Sequence, residues 1–502
     1  MKTLIKRKLS LIVIIVQLLV SVLFCGFVWS IGLLPMKYMV PIVIVAVLLL
    51  VYQVLSQLTN SSYIFGRVLA VGFCAIFLVG ANIAREGMST LQNVGGATKK
   101  VDVISYYVLK DDKAQTLGDA KDYKFGILHV QDRENTDKTL LEAEKKVKTK
   151  LKTTEFEDPL TLVDALYAKE VQVIIFNKSF VELVKERYAT FEKDTRELDA
   201  NQIESEVEEL VDTDVTTKSF NVFISGIDLY GKIDQTSRSD VNIIATINPL
   251  TKKVLLTSTP RDYYVPLYTK GGKSYSGGMP DKLTHAGNYG VDCSKNTLAK
   301  LYDIDIDYYV RVNFSSLKKI VNLLGGVEVY SDFDFISDWG PHGAGTHYKF
   351  KKGYNKVTGK KALAFCRERH HFANGDYQRG RNHQHMIEAI LNKVMSPSVL
   401  PNFSKLLKES KSMFQTSMSK DKIVSLCNMQ LNDMAKWKIS YANAEGTGAK
   451  KTSFSIRSTP QYVCEPNYNS VKKITKRIKK VMKETPEDKD ASSEEDKNDT
   501  IK

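Results

Sequence analysis

The stretch SFNVFISGIDLYGKIDQTSRSDVNIIATINPLTKKVLLTSTPRD, Ser219 to Asp262, reads as three strands in succession. SFNVFISGID alternates, with Phe220, Val222 and Ile224 on one face; VNIIATIN and KKVLLTST follow, and NPLTK between them reads as a turn. Charge collects where these strands end. Asp228 closes the first, Arg238 and Asp240 sit at the start of the second, and Arg261 and Asp262 close the third. Ligands of α/β sheets bind at such edges, because loops converge there. The stretch therefore predicts a sheet with carboxylates and guanidiniums along one rim.

Downstream, VDCSKNTLAKLY reads as a helix, IDYYVRVNF as a strand, SSLKKIVNLLGG as a helix with a Ser cap and a Gly stop, and VEVYS as a strand. A further helix, VTGKKALAFCRER, runs into CRERHHFANGDYQRGR, Cys366 to Arg381, which holds Arg367, Arg369, Arg379, Arg381 and Asp376. Clustered guanidiniums repel one another unless an anion sits between them, and their planar forks match phosphate oxygens. A solvated basic face is the other reading. DYQRGRNHQHMIEAILNKVM has helical spacing that puts Asp376, Arg379, His383 and Ile387 on one face. A surface Asp–Arg pair accounts for two of these residues but not for Arg367 and Arg369. His370 and His371 are adjacent, without the i, i+4 spacing of metal ligands, and His285 and Asn288 in LTHAGNYG read as parts of a structured loop.

Working toward the amino terminus, residues 98–216 alternate strand-like and helix-like runs, among them VDVISYYVL, YKFGILHV, LLEAEKKVKTKL and VQVIIF. They predict a small α/β accessory domain with no phosphate loop or nucleophile motif. The acidic run Glu197 to Asp214 reads as a solvated helix or linker. Before it, apolar runs at Leu9–Leu34, Tyr38–Leu55 and Phe65–Ile83 each approach the length of about 20 residues that spans a bilayer. A cleaved signal has a single shorter apolar core. Residues 1–90 are therefore expected to form three spanning helices. Lys2, Lys6, Arg7 and Lys8 favour a cytoplasmic amino terminus, which puts the chain after Arg85 outside the cell. Isolated Gln17 and Gln53 within the spans read as contacts to neighbouring helices.

The 502 residues carry a formal net charge of +14, which fits an anionic partner: nucleic acid, a membrane surface or a wall polymer. An extracellular location and the lack of a helix-turn-helix pattern argue against nucleic acid. The six cysteines lack metal-ligand spacing, and their pairing is open. Residues 471–502, basic and then acidic, read as a disordered tail whose basic part meets wall polymer or headgroups.

Taken in order, GID, SRSDVNIIATIN, STPRD, LTHAGNYG, NLLGGVEV, GKKALAFCRER and NGDYQRGRN resemble the successive motifs of the LytR-CpsA-Psr family, over about Ser219 to Val394. Three leading spans and an extra α/β domain resemble its capsule-type streptococcal members. The resemblance implies an αβα core with a central mixed β-sheet over residues 217–470. It implies a multi-pass cell-membrane enzyme with its large carboxyl-terminal region extracellular, transferring a glycopolymer from an undecaprenyl pyrophosphate carrier to peptidoglycan. The polymer expected from the domain arrangement is capsular polysaccharide, and other capsule assembly proteins are possible partners.

By the same resemblance, Arg238, Arg261, Arg367, Arg369 and Arg379 clamp the pyrophosphate, with Arg238, Arg261 and Asp376 as the catalytic set. Asp228 and Asp240 hold Mg²⁺, with Mn²⁺ as the alternative. A salt bridge from Asp240 to Arg238 is the competing reading. Asp376 activates the acceptor hydroxyl or orients an arginine. Where the family pattern has Gln four residues after the helix Arg, this chain has His383, followed by Gln384. One of the two replaces it, and a His there implies a rate that depends on pH near neutrality. The lipid needs an apolar slot between the sheet and the helices that contain Leu298 and Leu301 or Ile320, Leu323 and Leu324, residues that read equally as ordinary core. A non-catalytic capsule assembly factor that binds the same lipid-linked polymer is the alternative function.

Overall fold

Three apolar helices open the chain, Lys2–Ile31 (α1), Met36–Leu58 (α2) and Tyr63–Leu91 (α3). Each contains a span long and apolar enough to cross a membrane, at Lys8–Ser30, Met36–Leu58 and Tyr63–Asn82. Gln17 and Gln53 are buried inside this bundle, whereas most of the large aliphatic side chains point outward. The structure is a computed structural model and describes residues 2–31, 35–58, 63–91, 99–206, 213–227, 233, 235–337, 347–373, 375–396, 406, 409 and 413–489.

The next unit is a five-stranded sheet built from Lys99–Leu109 (β1), Lys124–Leu128 (β2), Lys152–Phe156 (β3), Val173–Asn177 (β4) and Thr195–Glu206 (β5), in the order β3-β2-β4-β1-β5. β2 runs parallel to β3 and β4, while β1 is antiparallel to β4 and β5. Its helices include Arg133–Val147 (α4) and Pro159–Tyr167 (α5). Asp158 caps α5 by accepting from the N–H groups of Leu160 and Thr161, and Pro159 supplies the first helical φ.

The acidic run from Glu197 is not a helix or linker as far as Glu206: it is β5, paired with β1 along its whole length. β5 is an edge strand, so its acids face water while Leu198 and Ile203 pack against Ile104, Tyr106 and Ile175. A bulge opposite Tyr106 and Tyr107 shifts the alternation by one residue there, so Leu198 and Ile203, of opposite parity, both reach the packed face.

The Ser219–Asp262 stretch forms Phe220–Ile227 (β6), Ser239–Asn248 (β7) and Lys253–Thr259 (β8), antiparallel neighbours at the centre of a six-stranded sheet. Tyr308–Asn313 adds parallel to β6 and Lys438–Asn443 parallel to β8, with Gln415–Thr416 at one edge. Both faces of this mixed sheet are covered, giving the αβα core. Phe223, Ile244 and Leu255 pack against Leu298, Tyr302, Ile474 and Ile478 on one face. Phe220, Val222, Ile243 and Leu256 pack against Tyr308, Ile387, Ile423 and Leu426 on the other. The single buried face expected for β6 is thus replaced by two, because helices lie on each side.

The region expected to be a disordered tail begins instead with a helix, Tyr468–Lys483. Asn467 caps it, and Val471, Ile474 and Ile478 are buried against the sheet. Spacings of three and four put these aliphatics on one stripe, and burying each is worth about 1.5–3 kcal/mol. The lysines that dominate the composition occupy the opposite, exposed face. Residues 490–502 lie outside the described residues. All six cysteines are free.

Candidate active site

Strand direction decides what meets what. β7 and β8 are antiparallel, with Asn242 opposite Thr259, so the start of β7 and the end of β8 share one edge of the sheet. Arg238 and Asp240 therefore come beside Arg261. Asp240 Oδ1 accepts from Arg261 Nη1 at 2.9 Å and from Thr284 Oγ1 at 3.0 Å. The competing reading of Asp240, a salt bridge to Arg238, is not what forms; its ion-pair partner is Arg261. Burial alone would raise the Asp240 pKa, but Arg261, Arg238 and Arg379 outweigh it and lower it to about 2. Burial would lower the Arg261 pKa, and the carboxylates of Asp240, Asp262 and Asp376 raise it instead.

The loop LTHAGNYG backs this edge. A Cβ at Gly287 would stand 2.4 Å from the Ser237 carbonyl oxygen and 2.6 Å from the Ser239 nitrogen, so only glycine lets the loop lie on the SRSD backbone. His285 points into the interior, its Nδ1 2.7 Å from Asp281 Oδ1, and both are buried. It braces the loop and does not face the rim.

The Arg loop approaches from the helix Gly375–Val394. Arg379 pairs with Asp376 at 2.9 Å, yet burial first, and then Arg261 and Arg369, outweigh Asp376 and Asp240 and lower its pKa. Asp376 lines a pocket with Ser258, Pro260, Tyr377, Gly380, Asn443 and Ala444, at the end of β8. Arg369 is exposed, with its Nε 3.4 Å from His370 Nε2. Arg367 lies over the Phe314 ring, 4.6 Å from its centroid, beside the end of the strand Tyr308–Asn313. The structure thus joins Arg238, Asp240, Arg261, Asp376 and Arg379, with Arg369 felt electrostatically and Arg367 at the margin. Asp228 lies outside the described residues.

His383 and Gln384 are both committed elsewhere. His383 Nε2 donates to the Cys366 carbonyl at 2.9 Å, and burial together with Arg379 pushes its pKa down to about 3. It is neutral across the physiological range, so the titration near neutrality expected of it does not arise. Gln384, 1% exposed, donates from Nε2 to the carbonyls of Leu256 and Ala442, at 2.8 and 3.0 Å. The turn of about 100° between adjacent helical residues aims it at the sheet, away from the rim.

Glu368 escaped the sequence reading. It is fully buried, and its Oε1 accepts from the N–H groups of Arg369, His370 and His371, which sets the path of the Arg loop. An acid between two arginines was the available signal. Leu298 and Leu324 are core residues, buried in packed clusters against which Leu301 and Ile320 are partly buried.

Residues 182–480 match the model of the LytR_cpsA_psr family. The chain belongs to the LytR-CpsA-Psr family. A curated relative from Enterococcus faecalis, named polyisoprenyl-teichoic acid–peptidoglycan teichoic acid transferase TagU, is 33% identical over 230 residues, covering 45% of this chain and 67% of the relative. TagU of Bacillus subtilis is 28% identical over 264 residues, covering 52% and 78%. The crystal structure of B. subtilis TagV aligns with a TM-score of 0.44 at 25% identity, over 54% of this chain and 99% of that one. The LytR-CpsA-Psr match takes in every described rim residue named above and starts inside the five-stranded unit, at residue 182.

Proposed function

We propose that this protein is a membrane-anchored phosphotransferase that moves a glycopolymer from a polyprenyl pyrophosphate carrier to peptidoglycan on the outer face of the cell. The observation that carries the reading is the convergence of three largely buried arginines on one sheet edge. Arg238, Arg261 and Arg379 act on a single Asp240, and Arg379 is held against other cations. A dianionic pyrophosphate matches these guanidinium forks, and preorganised guanidiniums stabilise the charge that develops during phosphoryl transfer. The activity printed in the names of the TagU relatives supports the same class of reaction.

In the proposed reaction a peptidoglycan hydroxyl oxygen bonds to the phosphorus next to the polymer, the bridging P–O bond breaks, and polyprenyl phosphate leaves. The hydroxyl proton passes to a carboxylate, for which Asp376, 38% exposed and lining the pocket, is the candidate. Arg261 and Arg379 hold the transferred phosphate, and Arg238 the leaving one.

Asp240 fits a hard divalent cation. It is ionised, and its bonds to Arg261 and Thr284 both use Oδ1, which leaves Oδ2 as an oxygen ligand. Mg²⁺ is bound through one or two carboxylates plus phosphate oxygens, which suits Asp240 with Asp228, and Mn²⁺ has the same preferences. Bound there, the ion would neutralise phosphate charge as a Lewis acid. Capsular polysaccharide is the polymer we assign, from the accessory unit and three leading helices. The test is the purified full-length protein incubated with lipid-linked polymer, Mg²⁺ and peptidoglycan: polyprenyl monophosphate and wall-linked polymer appear in equal amounts. Polymer retained on the lipid with intact, folded protein would favour an assembly factor instead.

A further inference from the structure

In an α/β sheet the carboxyl ends of the parallel strands are the usual place for a ligand. In the five-stranded unit that edge is already covered by the catalytic region. Asp158, after β3, accepts at Oδ2 from the N–H groups of Arg457 and Ser458, at 2.9 and 2.7 Å. Gln131, after β2, donates from Nε2 to the Phe454 carbonyl at 2.9 Å. Phe176 and Phe180 share one apolar cluster with Ala286, Tyr289 and Phe454.

The same unit grips the segment that carries Arg238. Val101 forms a parallel bridge with Gln235, and its carbonyl accepts from the Thr236 N–H at 3.3 Å. Asp102 Oδ1, itself buried, accepts from Thr236 Oγ1 at 2.8 Å. Arg238 then ends in an ion pair whose acid also comes from this unit: its Nη1 donates to Glu186 Oε1. Arg238 is 6% exposed, and its Nε is a buried donor without a partner. Glu186 directly follows the short helix Val181–Lys185, whose Val181, Leu183 and Val184 are buried, so the carboxylate is delivered from a packed position.

We propose that Glu186 is a positioning residue for Arg238, and that the five-stranded unit is a working part of the pyrophosphate site through it. The guanidinium is planar, so fixing one bond at Nη1 fixes the direction of its remaining N–H groups. Glu186 restricts Arg238 to one orientation and leaves its other Nη group without a partner among the described residues, available to phosphate oxygens. Its charge opposes the incoming anion while its oxygen orients the arginine. Glu186→Gln separates the two, since an amide oxygen still accepts from Nη1 but carries no charge.

The inference rests on the pyrophosphate reading of the rim. The test measures the Kd of geranyl pyrophosphate with Mg²⁺ for the full-length protein in detergent. Glu186 is 41% exposed, so its variants are expected to keep the native melting temperature. Glu186→Ala is expected to weaken binding by about 5- to 10-fold, and Glu186→Gln to stay within about twofold of the parent. Added to Arg238→Ala, Glu186→Ala is expected to cost nothing further, because a positioning residue acts only through its partner. Unchanged binding in Glu186→Ala, equal losses in the Ala and Gln variants, or additivity with Arg238→Ala would each overturn the proposal. If Arg261→Ala leaves binding unchanged, the pyrophosphate reading itself fails. If Arg261→Ala weakens binding and Glu186→Ala does not, only the role of Glu186 fails.

Discussion

Arg261 Nη1 stands 2.9 Å from Asp240 Oδ1, and this pair fastens the end of β8 to the start of β7 at the sheet edge. Both side chains are largely buried, and two further arginines, Arg238 and Arg379, act on the same Asp240. Anion binding at this edge follows from that convergence of guanidiniums.

Replacing Gly287 by alanine tests how the rim is backed. The added Cβ meets backbone atoms of Ser237 and Ser239, which cannot move without displacing Arg238. Gly287→Ala is expected to cost about 1–3 kcal/mol of stability by denaturant melting, with transfer falling further than the lost folded fraction explains.

The pH profile of transfer tests the state of His383. Its folded pKa of about 3 lies below the ordinary imidazole value, so it stays neutral from pH 5.5 upward. A His383→Gln variant is expected to show the same profile shape between about pH 5.5 and 8 as the parent. A limb near pH 6.5 that vanishes in the variant would contradict this assignment.

Stability carries a different pH signature. His385, two residues on, lies 3.4 Å from Asp332 Oδ2 and 4.0 Å from Glu388 Oε2, with its Nδ1 3.2 Å from the Tyr441 hydroxyl. Burial lowers its pKa, but the two carboxylates outweigh this and raise it above 6.5. A raised folded value means that the stabilisation is full below the unfolded pKa and is lost as pH climbs through the folded one. The melting temperature is therefore expected to fall from pH 6 upward, and His385→Asn to flatten that slope.

Much of this was legible in sequence because Arg238 and Asp240 open the second strand of Ser219–Asp262 and Arg261 and Asp262 close the third, and antiparallel pairing must then bring those two ends together. The neighbour of Asp240 was not legible. Adjacency along the chain favoured Arg238, whereas the sheet supplies Arg261 from across the ladder and turns Arg238 toward Glu186. Composition misled at the carboxyl end, where lysines mask the stripe Val471, Ile474 and Ile478. It misled at β5 as well, since acids are common on an edge strand whose other face packs.

The carboxyl-terminal helix gives its own test. Ile478 is fully buried against the sheet, so Ile478→Ala is expected to destabilise the protein by about 2–5 kcal/mol in a denaturant melt. A disordered segment would tolerate the change with no shift in midpoint.

The central claim is that the arginine-rich rim performs phosphoryl transfer. Rates of polymer transfer from lipid pyrophosphate to peptidoglycan, compared between the parent protein and a folded Arg261→Ala variant, test it most directly. The account predicts a fall of about 10²–10³-fold, the usual cost of removing one preorganised donor. Transfer at the parental rate in that variant would contradict it.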